Sequence, residues 1–187
     1  RALEFDGVSD YFQHNGGTIL NGVNQFNNEV AWTFATWIYF NDTTALSYFV
    51  GDDAGYHSHI ALHPDGYLVF RSDGQRHFRW TNTTLLNDNT WYRVVVVAST
   101  DTTLTAYVNG VEYGTVLTGS SVAYDASETL TANNGTKHEF TGWGMPYVSG
   151  TRQQGLNGMM SDGQVWDAAW TADDALYDYN NPEQLAL

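Results

Sequence analysis

The sequence predicts an all-β protein built as a two-sheet antiparallel sandwich. Many short runs of β-branched and aromatic residues are separated by turn clusters rich in Gly, Asn and Asp. The clearest pair of runs is Thr90–Val97 and Leu104–Val111. The second contains Asn109-Gly110, a dipeptide that readily supplies two positive φ angles. We therefore expect consecutive antiparallel strands joined by tight turns rather than βαβ units.

The expected elements follow one another closely along the chain. Strands are predicted near Ala2–Phe5, Tyr11–His14, Trp32–Phe40, Leu46–Gly51, His57–His63, Tyr67–Ser72, Arg76–Trp80, Thr90–Ser99, Thr103–Asn109, Glu112–Leu117, Lys137–Gly142 and Gly158–Asp167. One short helix is predicted from Ala172 to Tyr179, because Thr171 can cap its first turn and Asp174 follows three residues later, as in a capping box.

Composition limits the domain count and excludes some partners. With 187 residues, 42% of them hydrophobic, the chain can fill one large core, and we expect residues 1–187 to form a single domain. The net charge of −14, with Lys137 as the only lysine, argues against nucleic acid and anionic membranes as partners. No apolar run approaches the roughly 18 residues of a membrane span. The acidity fits either solubility in salty or crowded surroundings or the binding of divalent cations.

The N-terminus and the lack of cysteine bear on localisation. The sequence begins at Arg1 with neither an initiator Met nor a signal region, so we expect a mature product or a domain from a longer protein. No disulfide framework reports the redox compartment, because the chain has no cysteine. The expected location is extracellular: secreted, at a cell surface or at a virion surface.

Four sequence blocks together resemble the laminin G-like and pentraxin-like jelly rolls of the concanavalin A-like superfamily. They are Ala2–Tyr11, Trp32–Ile38, the strand pair Thr90–Val97 with Leu104–Val111, and Leu156–Asp174. This resemblance implies a jelly-roll sandwich with one short C-terminal helix. The family includes sugar-binding lectins, protein binders, domains attached to sialidases and adhesins, and structural modules, so the fold does not select a function.

A catalytic role is not expected. The related sandwich glucanases carry an E-x-D-x-x-E strand, which supplies the two carboxylates that glycoside hydrolysis needs, and this sequence has no such pattern. A nucleophilic triad is also not indicated, because cysteine and a G-x-S-x-G elbow are absent.

Calcium is the expected metal, as a structural ion. The resemblance implies a site that ties the first strand to the last, with Asp6 and Asp162 at the matching positions. Asp52 and Asp53 correspond loosely to the acidic loop of the pentraxin calcium site. The pentraxin double site also needs an acidic cluster before the last strands, where this chain has Gly142–Tyr147 without a carboxylate, so phosphocholine recognition is not expected.

Two groups of residues are predicted to contact a ligand. Trp143 and Tyr147 lie in a Gly- and Pro-containing loop, where flat aromatic side chains can stack on sugar rings; alternatively, Trp143 folds back and caps the core. The second group lies on the sheet face opposite Ile60 and Leu62, where alternation places side chains that could bind an anionic group or simply pair with nearby carboxylates. This second group comprises His57, His59, Tyr67, Arg71 and Trp80.

His57 and His59 also allow a different interpretation. Residues i and i+2 of a strand share a face, and two imidazoles placed there can bind a transition metal, although spacing identifies no third ligand.

The sequence thus predicts a non-catalytic extracellular recognition domain that binds glycans or a glycosylated or anionic surface. Its parent would be an adhesin, a carbohydrate-active enzyme or a virion surface protein. The alternative is an assembly module that packs against other subunits and has no free ligand. A sugar site should leave Trp143 partly exposed beside a groove, whereas an assembly module should show a broad apolar patch.

Overall fold

The structure of the chain is a computed structural model. The structure describes residues 1–13, 26–27, 31–51, 58–64, 66–72, 76–81, 85–99, 103–120, 123–124, 137–138, 142–144, 147–148, 151–152 and 155–182.

The described residues are mostly β-strand. The strands are β1 Leu3–Asp6, β2 Phe12–Gln13, β3 Phe26–Asn27, β4 Trp32–Phe40, β5 Ser47–Gly51, β6 Ser58–Leu62, β7 Leu68–Ser72, β8 Arg76–Thr81, β9 Thr90–Ser99, β10 Thr103–Val108, β11 Val111–Glu112, β12 Thr115–Ser120, β13 Ala123–Tyr124, β14 Lys137–His138, β15 Gly142–Trp143, β16 Tyr147–Val148, β17 Thr151–Arg152 and β18 Asn157–Trp166. The single described helix is α1, Ala172–Asn180.

Two antiparallel sheets form the sandwich. The six-stranded sheet has the order β1-β18-β4-β9-β10-β11, and the eight-stranded sheet has the order β13-β12-β8-β7-β6-β5-β15-β2. β1 and β2, which are close in sequence, therefore form outer edges of different sheets. This arrangement places the N-terminal residues at an open border of the sandwich.

The core lies between the sheets and follows the alternation of the strands. Phe34 and Ile38 of β4 are fully buried, as are Ile60 of β6 and Phe70 of β7. Ile60 and Leu62 belong to the core cluster between the sheets, whereas Ala61 between them does not, which confirms the predicted inward direction of both. Aromatic packing joins the two sheets directly, because the rings of Trp32 and Phe70 lie 5.4 Å apart.

Glycine conformation fixes two of the turns. Asn109 and Gly110 have φ angles of 53° and 76°, which confirms the predicted turn after β10. The predicted strand Glu112–Leu117 is wrong, because β11 ends at Glu112 and β12 begins at Thr115. Gly114 lies between them with φ 69°, so the chain turns there from the six-stranded to the eight-stranded sheet.

Helix α1 covers the outer face of the six-stranded sheet. Its Ala175 packs into a second apolar cluster with Ala35, Val95, Val97 and Tyr107. Thr171 caps the helix, and the reciprocal bonds between Thr171 and Asp174 confirm the predicted capping box. Within the described residues, no helix has the length and apolar character that crossing a membrane requires.

Candidate functional site

A cavity of about 310 Å³ opens at the border where the outer strands of the two sheets meet. Its lining is mainly apolar and comes from β1, β2, β15 and β18. The apolar lining residues are Leu3, Phe5, Phe12, Trp143 and Met160. Leu3 and Phe12 are largely exposed, whereas Phe5 and Met160 are buried, so the cavity runs from the surface to the edge of the core.

Trp143 forms both a wall of this cavity and part of the boundary of the core. β15, which carries it, is held between β5 and β2, with Trp143 opposite Val50 and Phe12. The partly buried indole packs against the core, with its ring centre 5.5 Å from that of Phe34. Trp143 therefore caps the core, as one of the two predictions for it stated, and it also borders a groove.

Two glycines make room for this arrangement. Gly144 has φ +82°, and a Cβ atom added there would lie 2.2 Å from the Phe5 ring. A Cβ atom at Gly163 would lie 2.3 Å from Cζ3 of Trp143. Both distances are far below van der Waals contact. The rings of Phe5 and Trp143 can therefore occupy their positions only because residues 144 and 163 have no side chain.

A β-bulge in β18 supplies the polar side of the cavity. Ser161 pairs with Trp37 and Gln164 pairs with Ala35, so Asp162 and Gly163 together stand opposite the single residue Thr36. Asp162 has φ +51°, a conformation that non-glycine residues adopt infrequently. The Thr36 hydroxyl lies within hydrogen-bond distance of two carbonyl oxygens, that of Trp37 at 3.1 Å and that of Ser161, where the bulge begins, at 3.2 Å.

Asp162 brings a negatively charged acceptor to the cavity. Its Oδ2 atom lies 3.3 Å from Nη1 of the buried Arg93, and it accepts a hydrogen bond of 2.9 Å from Nε2 of Gln164. The side chain remains 37% exposed, so its carboxylate can also accept hydrogen bonds from outside the protein. The polar lining is completed by Arg1, Thr36, Ser161 and Gly163.

The predicted pairing of Asp6 with Asp162 is wrong. Asp6 stands opposite Asn157 at the start of β18, five positions before Asp162 (162 − 157). Asp6 instead organises its own turn, since its Oδ1 accepts hydrogen bonds from the backbone N–H groups of Val8, Ser9 and Asp10. These bonds, those from Ser9 and Val8 being the strongest, hold the pKa of the Asp6 carboxyl well below its ordinary value.

No cluster of metal-binding side chains is found in the described part of the chain. There, no three His, Cys, Asp or Glu side chains come together in a way that could hold a metal ion. The predicted ligands Asp52 and Asp53 lie outside the described residues. The residues that can be placed therefore do not fit the shared calcium site that the sequence resemblance implies.

Trp80 does not lie on the predicted face of the eight-stranded sheet, and His59, which alternates with the inward Ile60, lies on that face but is buried. Trp80 is only 1% exposed and belongs to the core, because it shares the inward face of β8 with Phe78. Arg79, its neighbour, occupies the opposite face, since adjacent residues of a strand alternate. His59 is 6% exposed, and its ring lies 4.7 Å from that of Tyr48 in an edge-on contact.

Of the other residues predicted to contact a ligand on the eight-stranded sheet, the structure describes only some side chains. Tyr67 is half-buried, with the Arg79 guanidinium carbon 4.3 Å from its ring centre. Arg71 stands between His59 and His77 in the strand register. The side chains of Arg71 and Tyr147, and the whole of His57, lie outside the described part of the structure.

Phe12, Met160 and Gly163 were not predicted as site residues. Phe12 and Met160 read as ordinary strand residues, and they meet only because β2 and β18 belong to different sheets that face each other at their edges. One signal was present in the sequence: Ser161-Asp162-Gly163 interrupts an apolar strand with a turn-like triplet, which is a recognised indication of a bulge.

Comparison with protein families agrees with this architecture. The family model described as the concanavalin A-like lectin/glucanases superfamily, a laminin G model, matches residues 6–175. The chain belongs to the concanavalin A-like lectin/glucanase superfamily. This membership confirms the predicted all-β jelly-roll sandwich of laminin G and pentraxin type. Comparison with curated protein sequences gives no match.

Solved structures share the superfamily fold at low sequence identity. A heptameric SAP-like pentraxin from Limulus polyphemus is 16% identical, with a TM-score of 0.64 over 95% of this chain and 81% of that chain. Domain 4 of AbnA, an extracellular arabinanase of Geobacillus stearothermophilus solved with arabinotriose, is 15% identical, with a TM-score of 0.54 over 90% and 86%.

A Bacteroides ovatus protein with a provisional carbohydrate-binding assignment is also similar. It is 18% identical, with a TM-score of 0.59 over 90% of this chain, which spans 44% of the length of that protein. At these identities, the three structures support the fold.

Proposed function

We propose that this chain is a non-catalytic carbohydrate-binding domain and that its ligand binds in the cavity beside Trp143. The observation that carries the proposal is the partly exposed indole of Trp143 in the wall of a mainly apolar cavity, with the Asp162 carboxylate nearby. An aromatic wall can cover the apolar face of a sugar ring, while a carboxylate accepts hydrogen bonds from its hydroxyl groups.

The size of the cavity suits a ligand of this kind. A volume of about 310 Å³ lies at the lower end of the usual range of small-molecule sites, roughly 300–1,000 Å³. We therefore infer that the cavity holds one or two sugar units at the end or side of a longer glycan. Similar domains from the arabinanase, with its bound arabinotriose, and from Bacteroides ovatus support the choice of carbohydrate over other small molecules.

The proposal also includes the setting of the domain. We infer an extracellular location within a larger adhesive, carbohydrate-active or virion-surface protein, because one of the similar structures is a domain of an extracellular arabinanase. Calcium binding stays a prediction for Asp52 and Asp53, which lie outside the described residues, since the strand register contradicts only the pairing of Asp6 with Asp162.

A glycan array tests the proposal directly. The wild type should bind a restricted set of glycans, and both Trp143→Leu and Phe12→Ala should lose that binding, because each removes an aromatic face from the cavity. Trp91→Leu is the matched control, since Trp91 is partly exposed on the six-stranded sheet but does not line the cavity. Thermal unfolding of each variant confirms that it is folded.

Two outcomes of the array experiment would overturn the proposal. One is the absence of binding by a wild type that unfolds cooperatively. The other is binding that survives both cavity substitutions but is lost in Trp91→Leu.

The rival function is assembly with another subunit. One observation favours it: Leu3, Val8, Tyr11 and Phe12 are all exposed apolar side chains within the first 13 residues. An assembly module should associate at micromolar concentration, and Val8→Ser together with Tyr11→Ser should dissociate it in sedimentation velocity. A wild type that binds glycans and stays monomeric would exclude self-assembly through these side chains.

A further inference from the structure

We propose that Arg93 is a positioning residue for the cavity: it holds the β18 bulge in place from the helix side and thereby sets the position of Trp143. The proposal rests on the proposed function in so far as the cavity binds a ligand. It adds helix α1, on the far face of the sheet, to the structure that shapes the site.

Arg93 is placed to join three elements. It is fully buried on β9, and its guanidinium makes a two-point contact with Asp178 of α1, with Nε 2.5 Å from Oδ2 and Nη2 2.8 Å from Oδ1. Its remaining nitrogen, Nη1, donates to the main-chain oxygen of Asp162 at 2.9 Å. The planar guanidinium can satisfy all three contacts at once, which a lysine cannot.

The hydrogen bond from Arg93 reaches a residue of the bulge, Asp162. Arg93 binds the backbone of Asp162 from the outer face, and Thr36 binds the adjacent Ser161 carbonyl through its hydroxyl. Thr36 also lines the cavity, so the adjacent carbonyl groups of Ser161 and Asp162 are contacted from opposite faces of the sheet. This explains how Asp162 is maintained at φ +51°.

The bulge then determines where Trp143 lies. Gly163, the second bulged residue, has no room for a Cβ atom against the Trp143 ring. A displacement of the bulge therefore moves the indole or opens a gap beside it. Contacts run in sequence from Asp178 to Arg93, to Asp162 and Gly163, and finally to Trp143.

A folded-state spectrum tests this coupling without any ligand. The indole N–H signal of Trp143 is assigned in a ¹H–¹⁵N spectrum by its absence in Trp143→Leu. Asp178→Asn should shift or broaden that signal, because Arg93 loses its charged partner on the helix. Asp173→Asn is the matched control, since Asp173 is an exposed acidic residue of the same helix, and it should leave the signal unchanged.

Because Asp178 is buried, its substitution can prevent folding, so a second variant tests the coupling from the other side. Gly163→Ala alters the bulge at an exposed position and should accelerate hydrogen exchange of the α1 amides. An unchanged Trp143 signal in folded Asp178→Asn would overturn the proposal. If Asp178→Asn does not fold, unchanged α1 exchange in Gly163→Ala would overturn it.

Ligand binding separates this proposal from the proposed function. If the array gives a glycan, folded Asp178→Asn should bind it roughly 5- to 150-fold more weakly, the usual range for coupling between distinct sites. Unchanged affinity would overturn the positioning role and leave the carbohydrate site standing. A shifted Trp143 signal in a protein that binds no glycan would support the positioning of Trp143 and contradict the proposed function.

Discussion

Trp143 and its neighbouring glycines show how single residues shape the border of the sandwich. The indole completes the core beside Phe34, yet part of it reaches the cavity. Gly144 and Gly163 allow this because a side chain at either position would collide with an aromatic ring. The cavity thus depends on two missing side chains as much as on the rings that line it.

Gly144→Ala should destabilise the protein. The new methyl group would lie 2.2 Å from the Phe5 ring, and φ +82° is unfavourable for alanine. Overpacking of this kind costs roughly 1–3 kcal/mol of unfolding free energy, measurable by urea unfolding. Gly7→Ala is a control for the backbone term, because Gly7 has φ +74° but a Cβ atom there would come no closer than 3.1 Å to its nearest neighbour. Equal losses in the two variants would contradict the role of Phe5.

Tyr113 should make stability fall at high pH. Burial, with smaller contributions from Tyr67 and Tyr92, raises its pKa from 10.0 to about 12. Between these values the unfolded chain loses the proton and the folded protein keeps it, so unfolding becomes easier as pH rises from 10 towards 12. Urea unfolding at several pH values should show a shallower decline in Tyr113→Phe. A decline as steep as that of the wild type would assign the effect to other groups.

Several residue roles could be predicted from the sequence, and others could not. Trp143 stood out as an aromatic residue between glycines in a loop. The buried position of Trp80 follows from its alternation with Phe78 along β8, but the sequence analysis grouped it with residues of the opposite sheet face, such as His59. Arg93 gave no signal of its own, because its partner Asp178 is 85 positions away in sequence.

Helix α1 and the β18 bulge are the elements that connect the outer face of the six-stranded sheet with the cavity. The helix was predictable because its capping box is a local pattern. The Ser161-Asp162-Gly163 triplet indicated a bulge, but the sequence did not show where the bulge would lie relative to the cavity, since that depends on the pairing of β18 with β4. The predicted sharing of a calcium ion by Asp6 and Asp162 was wrong because of strand register. The antiparallel pairing of β1 with β18 places Asp6 beside Asn157 rather than beside Asp162.

Thr171→Ala should loosen helix α1. The Thr171 hydroxyl accepts a hydrogen bond from the Asp174 N–H, and loss of such a cap typically costs about 1 kcal/mol. Hydrogen exchange of the α1 amides and urea unfolding should both detect the change. Thr171→Ser retains the hydroxyl and should restore most of the lost stability. A serine variant as unstable as the alanine variant would exclude the cap as the cause.

For the whole molecule, the decisive feature is that edge strands of two sheets meet beside the first residues of the chain. β1 ends one sheet and β2 ends the other, so the cavity collects residues from both ends of the sequence. Sequence patterns predicted the strands and the sandwich, but they contain no information on which sheet edges face each other. For that reason the cavity could not be predicted as a site.

The dependence of ligand affinity on salt concentration should show whether the ligand binds in the cavity or on the face of the eight-stranded sheet. A ligand in the mainly apolar cavity should bind with nearly unchanged affinity between low and high salt. Binding of an anionic ligand to the outer face of the eight-stranded sheet, beside Tyr67 and Arg79, should weaken as salt rises, because the attraction between opposite charges is screened. Calorimetric titrations at two ionic strengths distinguish these cases. A steep loss of affinity with salt would contradict binding in the cavity.

The decisive experiment is a crystal structure of the domain with the tightest-binding glycan from the array. We expect a sugar ring in the cavity between Trp143 and Phe12, with a hydroxyl group within hydrogen-bond distance of Asp162. A glycan bound instead on the face of the eight-stranded sheet, over Tyr67 and Arg71, would show that the cavity is not the carbohydrate site.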